Sequence, residues 1–383
     1  MIRGVHIELL MGVVVATPVP AELVDAIKSI QVTENDTSQS GFQISFAAGK
    51  ESLIQRELLP LGFFDAPRRV IVVVVTNGSP EVLIDGVITR HELAVTGEPG
   101  ASTLTVTGLD LSQLMDLIDF SGFLWPAMPP SARVAIMVAK YSMFGIIPKV
   151  LPSVLVVVPN PLENIPPQRG TDLSYIRRLA SQVGYVFFIE PGPVAGMSFA
   201  YWGPQIKVGE VQPVLSVNMD GDSNIEALNL SFDGIRKTLF TFFIREDASG
   251  ATIPIPVPDI SPLNPPLGPR PPIPLSYTKL DMASPEGEDD STAKFEAAAA
   301  VSRGLARAAQ RADVISGSGS LDVSRYGGVL RARKLVAVRG AGTNYDGHYY
   351  VKSVSSTIRP GEFKQSFRLT RNAFGSLTSE VSV

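Results

Sequence analysis

Asp-Gly is followed fourteen positions later by Pro-Gly at two distant places in the chain, Asp85-Gly86 with Pro99-Gly100 and Asp346-Gly347 with Pro360-Gly361. Both dipeptides favour turns, glycine by tolerating positive φ and proline by fixing φ. Between each pair lies a stretch that reads as a long strand, and an alternating strand follows each Pro-Gly. The pattern is a turn, a long strand, a hairpin turn and a return strand, written twice. Two dipeptides are few, so coincidence is the competing reading. A real repeat would mean two similar β units with other material between them.

The first 110 residues read mostly as strands. Gly41 to Phe46 alternates, which places Phe42, Ile44 and Phe46 on one face. Arg69 to Thr76 (RVIVVVVT) is β-branched and stops at Asn77-Gly78, a turn signal. Val82 to Val95 is extended, and Thr103 to Thr107 alternates again. The apolar run Leu9 to Val19 is shorter than the about 20 residues a bilayer requires. Only Arg3 is basic ahead of it, Glu8 sits at its edge, and Pro18 and Pro20 close it. It reads as a buried first strand rather than a signal peptide. Ala21 to Ile30 reads as a short amphipathic segment, with Pro20 suited to a helix start.

From about Leu109 the texture becomes mixed α and β. Leu111, Leu114, Met115 and Ile118 have helical spacing, and Ser131 to Phe144 is a second candidate helix. LSYIRRLASQVG is a third, capped by Thr171 or Asp172 and ended by Gly184. Tyr185 to Glu190 and Met197 to Trp202 flank a Pro/Gly turn, as a hairpin would. Strands return from Leu215 to Arg245. Pro254 to Pro274 then holds ten prolines in 21 residues, and Glu286 to Asp290 reads EGEDD. This stretch reads as a surface insertion or linker. Ser291 to Ala312 is Ala-rich and predicts a helix. Strands follow at Val314 to Val323, Lys334 to Arg339, Tyr349 to Ile358 and Glu362 to Arg371, with Phe363, Phe367 and Leu369 on one face of the last. The fold class expected is mainly β with α/β insertions.

Composition limits the chemistry. With 383 residues the chain has room for two or three domains. Cysteine is absent, which excludes disulfides, Cys-ligated zinc, iron–sulfur clusters and thiol catalysis. His6, His91 and His348 lie far apart, so no metal site is expected. The 33 basic and 37 acidic residues leave a net charge of −4, against a general polyanion binder. No aromatic-interleaved basic groove is present, so nucleic acid is not an expected partner.

No motif points to turnover. Asp220, Asp222 and Asn224 match the start of a calcium loop, but Ile225 stands where glycine is needed and no acid follows at the twelfth position. A β-turn is the better reading. Ser316 to Ser320 (SGSGS) and Gly340-Ala341-Gly342 do not open a helix after a strand, so they read as hairpin or bulge glycines. Glu51 with Asp65 or Glu57 could pair as carboxylates of a glycosidase, but no cleft is evident. His91 and His348 read as structural. Arg177-Arg178 and the cluster Arg331, Arg333 and Lys334 are either solvated faces or contacts to neighbouring subunits or to acidic cargo. No catalytic, cofactor-binding or metal residue is assigned, no cofactor is expected, and interface residues cannot be named.

Four stretches, in order, resemble one family. They are SIQVTENDTSQSGFQISF, VLIDGVITRHELAVTGEPGASTLTVTGLDLSQLM, TDLSYIRRLASQVGYVFFIE and YDGHYYVKSVSSTIRPGEFKQSFRLTRNAFGS. The set resembles the baseplate hub proteins of contractile injection machines, which include phage late-control D proteins and the N-terminal region of VgrG spikes. The resemblance implies two tube-like β-barrel domains in tandem, with a mixed α/β block between. Residues 1–112 would form the first barrel, 113–215 the α/β insertion, and 216–250 with 291–383 the second barrel. Residues 251–290 would be the Pro-rich and acidic insertion. It further implies a homotrimer that joins a sixfold tail tube to a threefold spike and nucleates the tube. The partners implied are the tail tube protein, a trimeric spike and other baseplate proteins, with cytoplasmic assembly into a phage tail-like particle and no membrane insertion. The sequence stops twelve residues after Arg371, so the spike is expected on a separate polypeptide. A tail-associated peptidoglycan hydrolase and a secreted β-rich binding module are the other classes left open.

Overall fold

The computed structural model describes residues 5–97, 101–125, 128–153, 165–245, 252–256, 264–274, 276–280, 304–309 and 311–377. The chain opens with β1 (Val5–Gly12), which turns back into β2 (Ala16–Pro18). A one-turn helix α1 (Ala21–Asp25) leads into β3 (Ile27–Asn35) and then β4 (Gly41–Ala47). A helical turn at Ile54–Leu58 precedes β5 (Arg69–Thr76), β6 (Ser79–Ala94) and β7 (Thr103–Asp110). The middle block holds α2 (Pro130–Ala139), β8 (Ile146–Val150), α3 (Asp172–Val183), β9 (Val186–Pro191) and β10 (Ser198–Gly203). Then come β11 (Val211–Ser216), β12 (Ala227–Phe232), β13 (Thr238–Arg245), β14 (Thr252–Pro256) and β15 (Ser276–Leu280). The last elements are β16 (Ile315–Asp322), α4 (Val323–Tyr326), β17 (Leu335–Arg339), β18 (Gly347–Arg359) and β19 (Glu362–Arg371).

Thirteen strands form one continuous sheet, in the order β12-β16-β19-β18-β3-β4-β7-β6-β5-β1-β2, with β17 beside β18 and β11 beside β17. The same five-strand order occurs twice: β3-β4-β7-β6-β5 in the first half and β12-β16-β19-β18-β17 in the second. A helical turn separates the second and third strands in chain order each time, Ile54–Leu58 in one half and α4 in the other. The long strands also share a defect. β6 carries a bulge at Thr89, between Ile88 and Arg90, and β18 carries one at Lys352, between Val351 and Ser353.

One apolar core runs through both halves, and it includes Leu9, Phe42, Ile44, Phe46, Phe64, Tyr349, Phe363 and Phe367. β5 is buried on both faces, as its unbroken β-branched run requires. Val70, Val72 and Val74 enter the main core, while Ile71 and Val73 pack against Val82 on the other side. The middle block has its own core around Trp125, Val134, Met137, Ile176, Tyr185 and Trp202. There β9 and β10 form the expected antiparallel hairpin, and β8 adds to β10 in parallel. α3 starts at Thr171, whose Oγ1 accepts from Ser174 N at 3.2 Å, and ends at Gly184 with φ 73°.

Several local expectations need correction. Ala21 to Ile30 is not one helix. Only Ala21–Asp25 is helical, because Ile27 to Ile30 already pairs with β4. Leu9 to Val19 folds back on itself as β1 and β2 rather than forming a single strand. Leu109 to Ile118 gives a 3-10 turn at Leu111–Asp116, in which the Asp110 carboxylate accepts from Ser112 N. Asp85-Gly86 is not a turn but lies within β6, and Pro99-Gly100 lies outside the described residues. Pro360-Gly361 does close the β18–β19 hairpin, with Gly361 at φ 85°. Part of the Pro-rich stretch packs rather than projects: Leu267 is buried with Leu335 and Tyr350, and its N–H donates to Asn372 Oδ1 at 2.9 Å. The EGEDD run and most of the Ala-rich helix lie outside the described residues, of which 304–309 are helical. Among the described residues, no helix is long and apolar enough to cross a membrane.

Candidate assembly interface

The two halves meet along one strand pair. β18 runs antiparallel to β3 with Ser353 opposite Asn35, Val354 opposite Glu34, Ser356 opposite Val32 and Ile358 opposite Ile30. Ile30, Val32, Val354 and Ile358 point into the core. On β18, the edge that meets β17 up to Tyr350 is taken over by β3 from Ser353 onward.

The corresponding stretch of β6 is bare. β5 covers β6 only as far as Val87, and β7 occupies the other edge. Among the described residues, no strand lies along the remaining edge from Thr89 to Ala94, and all six of these residues are exposed. Leu93 is 36% exposed and Val95 70%. At the far end of the sheet, β12 pairs with β16 alone among the described residues. Its Phe232 is 42% exposed, while Leu228 and Leu230 are half-buried against the core. Exposed strand edges carry unpaired N–H and C=O groups, which template association unless they are covered.

Buried charges rivet the elements around these edges. Arg69 on β5 makes a two-pronged contact with Asp85 on β6, Nε to Oδ1 at 2.7 Å and a second guanidinium nitrogen to Oδ2 at 2.6 Å. Ser198 of β10 donates to the same carboxylate at 3.1 Å, so this pair ties the middle block to the first half. Arg333 is 4% exposed and lies over the Phe188 ring at 4.1 Å. It donates to Asn35 O at 2.8 Å and to Ser40 Oγ at 2.7 Å. It therefore binds the second half to β3, to the following loop and to β9. Arg331 pairs with Glu34 at 3.1 Å, and Glu34 also accepts from Ala332 N. Asp36 is buried nearby and accepts from Gln205 at 2.8 Å; burial pushes its carboxyl up from the usual range, against the pull of Lys352. Arg371, at the end of β19, donates to the carbonyls of Tyr345, Asp346, Leu267 and Gly375.

These groups hold the fold together. Glu51, Glu57 and Asp65 are all exposed, and Glu51 faces Arg56 at 3.8 Å. His6 is exposed, His91 Nδ1 lies 3.2 Å from Phe64 O, and His348 is partly buried on β18. Among the described residues, no group of three metal-binding side chains converges. Asp220 to Asp222 forms a 3-10 turn with Asn218 and Asp220 at positive φ, in line with the turn reading. Gly317 and Gly319 are not hairpin or bulge glycines but lie inside β16, where a Cβ would meet Leu230 at 2.9 Å and the Phe367 ring at 2.6 Å. The solvated-face reading fails for Arg333, which is buried, while Arg178 covers the Tyr175 ring from outside at 5.0 Å. Sequence reasoning did not find the two bare edges. Their period-two alternation was visible, but which strands lack a neighbour is a property of the topology.

No family model matches the sequence, and no curated protein does. Solved structures are similar over nearly the whole chain. A tail protein from Neisseria meningitidis MC58 has a TM-score of 0.64 at 12% identity, covering 99% of this chain and 100% of that one. The 43 kDa tail protein of prophage MuSo2 from Shewanella oneidensis has a TM-score of 0.58 at 14% identity, covering 95% and 98%. An E. coli component of the type VI secretion system, described as similar to tail proteins of bacteriophage T4, has a TM-score of 0.51 at 10% identity, covering 93% and 76%. At these identities the likeness is one of fold: the chain has the fold of phage tail proteins.

Proposed function

We propose that the chain is a structural hub of a phage tail-like injection machine, three copies of which form a ring between a sixfold tail tube and a threefold spike. The observation that carries this reading is the five-strand order found twice in one continuous sheet. Two like units per chain and three chains give six units under threefold true symmetry, the match that such a junction needs. Residues 1–112 make the first unit and 216–250 with 291–383 the second, with 113–215 as the α/β block and 251–290 as an insertion. The fold likeness to tail proteins supports the same reading. The buried ion pairs suit a part that transmits load without moving internally. The partners are the tube protein, the spike and neighbouring baseplate proteins, assembled in the cytoplasm. Native mass of the purified chain, alone and mixed with a candidate spike, tests this. The expected result is a species of three times 41.0 kDa in at least one condition. A strict monomer in both overturns it.

A further inference from the structure

The internal repeat specifies which strands meet between copies. The bulges at Thr89 and Lys352, and the last residues paired to the preceding strand, Val87 and Tyr350, make Arg90 to Val95 the counterpart of Ser353 to Ile358. On the other side, Val32 faces Phe42, which faces Gly108, and Leu230 faces Gly317, which faces Leu369. That chain of partners makes Leu228 to Asp233 the counterpart of Ile30 to Asn35. Within the chain, Ser353 to Ile358 is paired with Ile30 to Asn35. Among the described residues, no strand pairs with the free edge of either counterpart.

We propose that β12 of one copy adds antiparallel to the bare edge of β6 in the next copy, reproducing the β3–β18 pairing between chains. The register follows from the equivalences: Arg90 faces Asp233, His91 faces Phe232, Glu92 faces Ser231, Leu93 faces Leu230, Ala94 faces Asn229 and Val95 faces Leu228. The side-chain chemistry agrees with this register at most positions. The positions matching the inward-facing residues of β18, Val354, Ser356 and Ile358, carry His91, Leu93 and Val95, and they fall opposite Phe232, Leu230 and Leu228. The outward positions bring Arg90 to Asp233, opposite charges on exposed side chains. In the single chain Arg90 holds Glu92 instead, at 2.6 Å on the surface. The contact is head-to-tail, so it propagates from copy to copy and must close into a ring or run on as a filament. Closure at three copies rests on the hub reading; the strand pair and its register do not.

The chain has no cysteine, so introduced thiols report without background. The double variant Glu92→Cys with Ser231→Cys is expected to give disulfide-linked species of two and three chains on oxidation, with the spike present if the ring needs it. The single variants mixed together should give linked pairs, and each alone should give none. Glu92→Cys with Leu230→Cys, one residue out of register and on opposite faces, should link poorly. Arg90→Glu should weaken association by about tenfold, and Asp233→Arg should restore it. All these positions lie on the surface or at its edge, so the variants are expected to fold. A trimer by native mass that gives no disulfide from the first pair overturns the strand pairing and leaves the hub reading standing. Linkage by a single variant alone indicates a twofold contact and overturns the pairing as well. Absence of both association and linkage, with the spike present, overturns the two together.

Discussion

The Phe42 ring lies against Gly108 on the neighbouring strand, so closely that a Cβ at position 108 would sit 2.3 Å from Phe42 Cζ. The matching pair in the second half is Gly317 opposite Leu369. The large side chain has moved from the second strand of the unit to its last strand, and the glycine has moved the other way. The two halves thus keep one topology while filling their cores from opposite strands.

Gly108→Ala is accordingly expected to destabilise the protein by about 1–3 kcal/mol, through overpacking in a core that cannot give way. Urea denaturation measures it. Adding Phe42→Leu should recover part of the loss but not all, because the Val87 carbonyl oxygen also lies 2.3 Å from the new Cβ. Equal stability of Gly108→Ala and wild type contradicts the close approach.

Removing one partner of the Arg69–Asp85 pair strands a charge where the side chains are 3% and 1% exposed. Asp85→Ala should cost about 3–5 kcal/mol. The double variant Arg69→Met with Asp85→Leu should cost less than either single change, since nothing charged is then left buried. The same denaturation series decides it, and a double variant worse than both singles contradicts the account.

Arg333→Lys tests the joint between the halves. Arg333 holds φ at 67° and spreads its guanidinium over the Phe188 ring while donating to Asn35 and Ser40. Lysine keeps the charge but loses the stacking and the fork. A loss of about 2 kcal/mol is expected in thermal or urea unfolding. A neutral result contradicts the role given to this side chain.

Burial raises the Asp36 carboxyl above its ordinary value of 3.8. The folded state then holds the proton more tightly than the unfolded state does. This group's contribution is therefore most favourable below 3.8 and is lost as pH rises through the folded value. Asp36→Asn removes that dependence, so its stability relative to wild type should improve between about pH 4 and about pH 7. Urea midpoints for both proteins across that range measure the effect, and a constant difference contradicts it.

Much of the β architecture was legible from alternation alone. Phe42, Ile44, Phe46, Phe363 and Phe367 are all buried, as period-two spacing on half-buried strands requires. The strand order repeats, but the Asp-Gly and Pro-Gly pairs that suggested a repeat do not mark its register. Val87 matches Tyr350, so Gly347 lies level with Ile84 rather than Gly86. Asp85-Gly86 has the local chemistry of a turn, and a buried arginine sixteen residues earlier in the sequence holds it in a strand instead. Arg333 looked solvated because its partners, Asn35, Ser40 and Phe188, are remote in sequence. The edges of β6 and β12 have ordinary strand sequences, and only the order of strands in the sheet shows that each lacks a neighbour among the described residues.

Electron cryo-microscopy of the chain assembled with its spike tests the central claim most directly. The account predicts a closed threefold ring of six similar β units, with β12 of each copy beside β6 of the next. A twofold dimer, an open filament or a ring joined through other strands would contradict it.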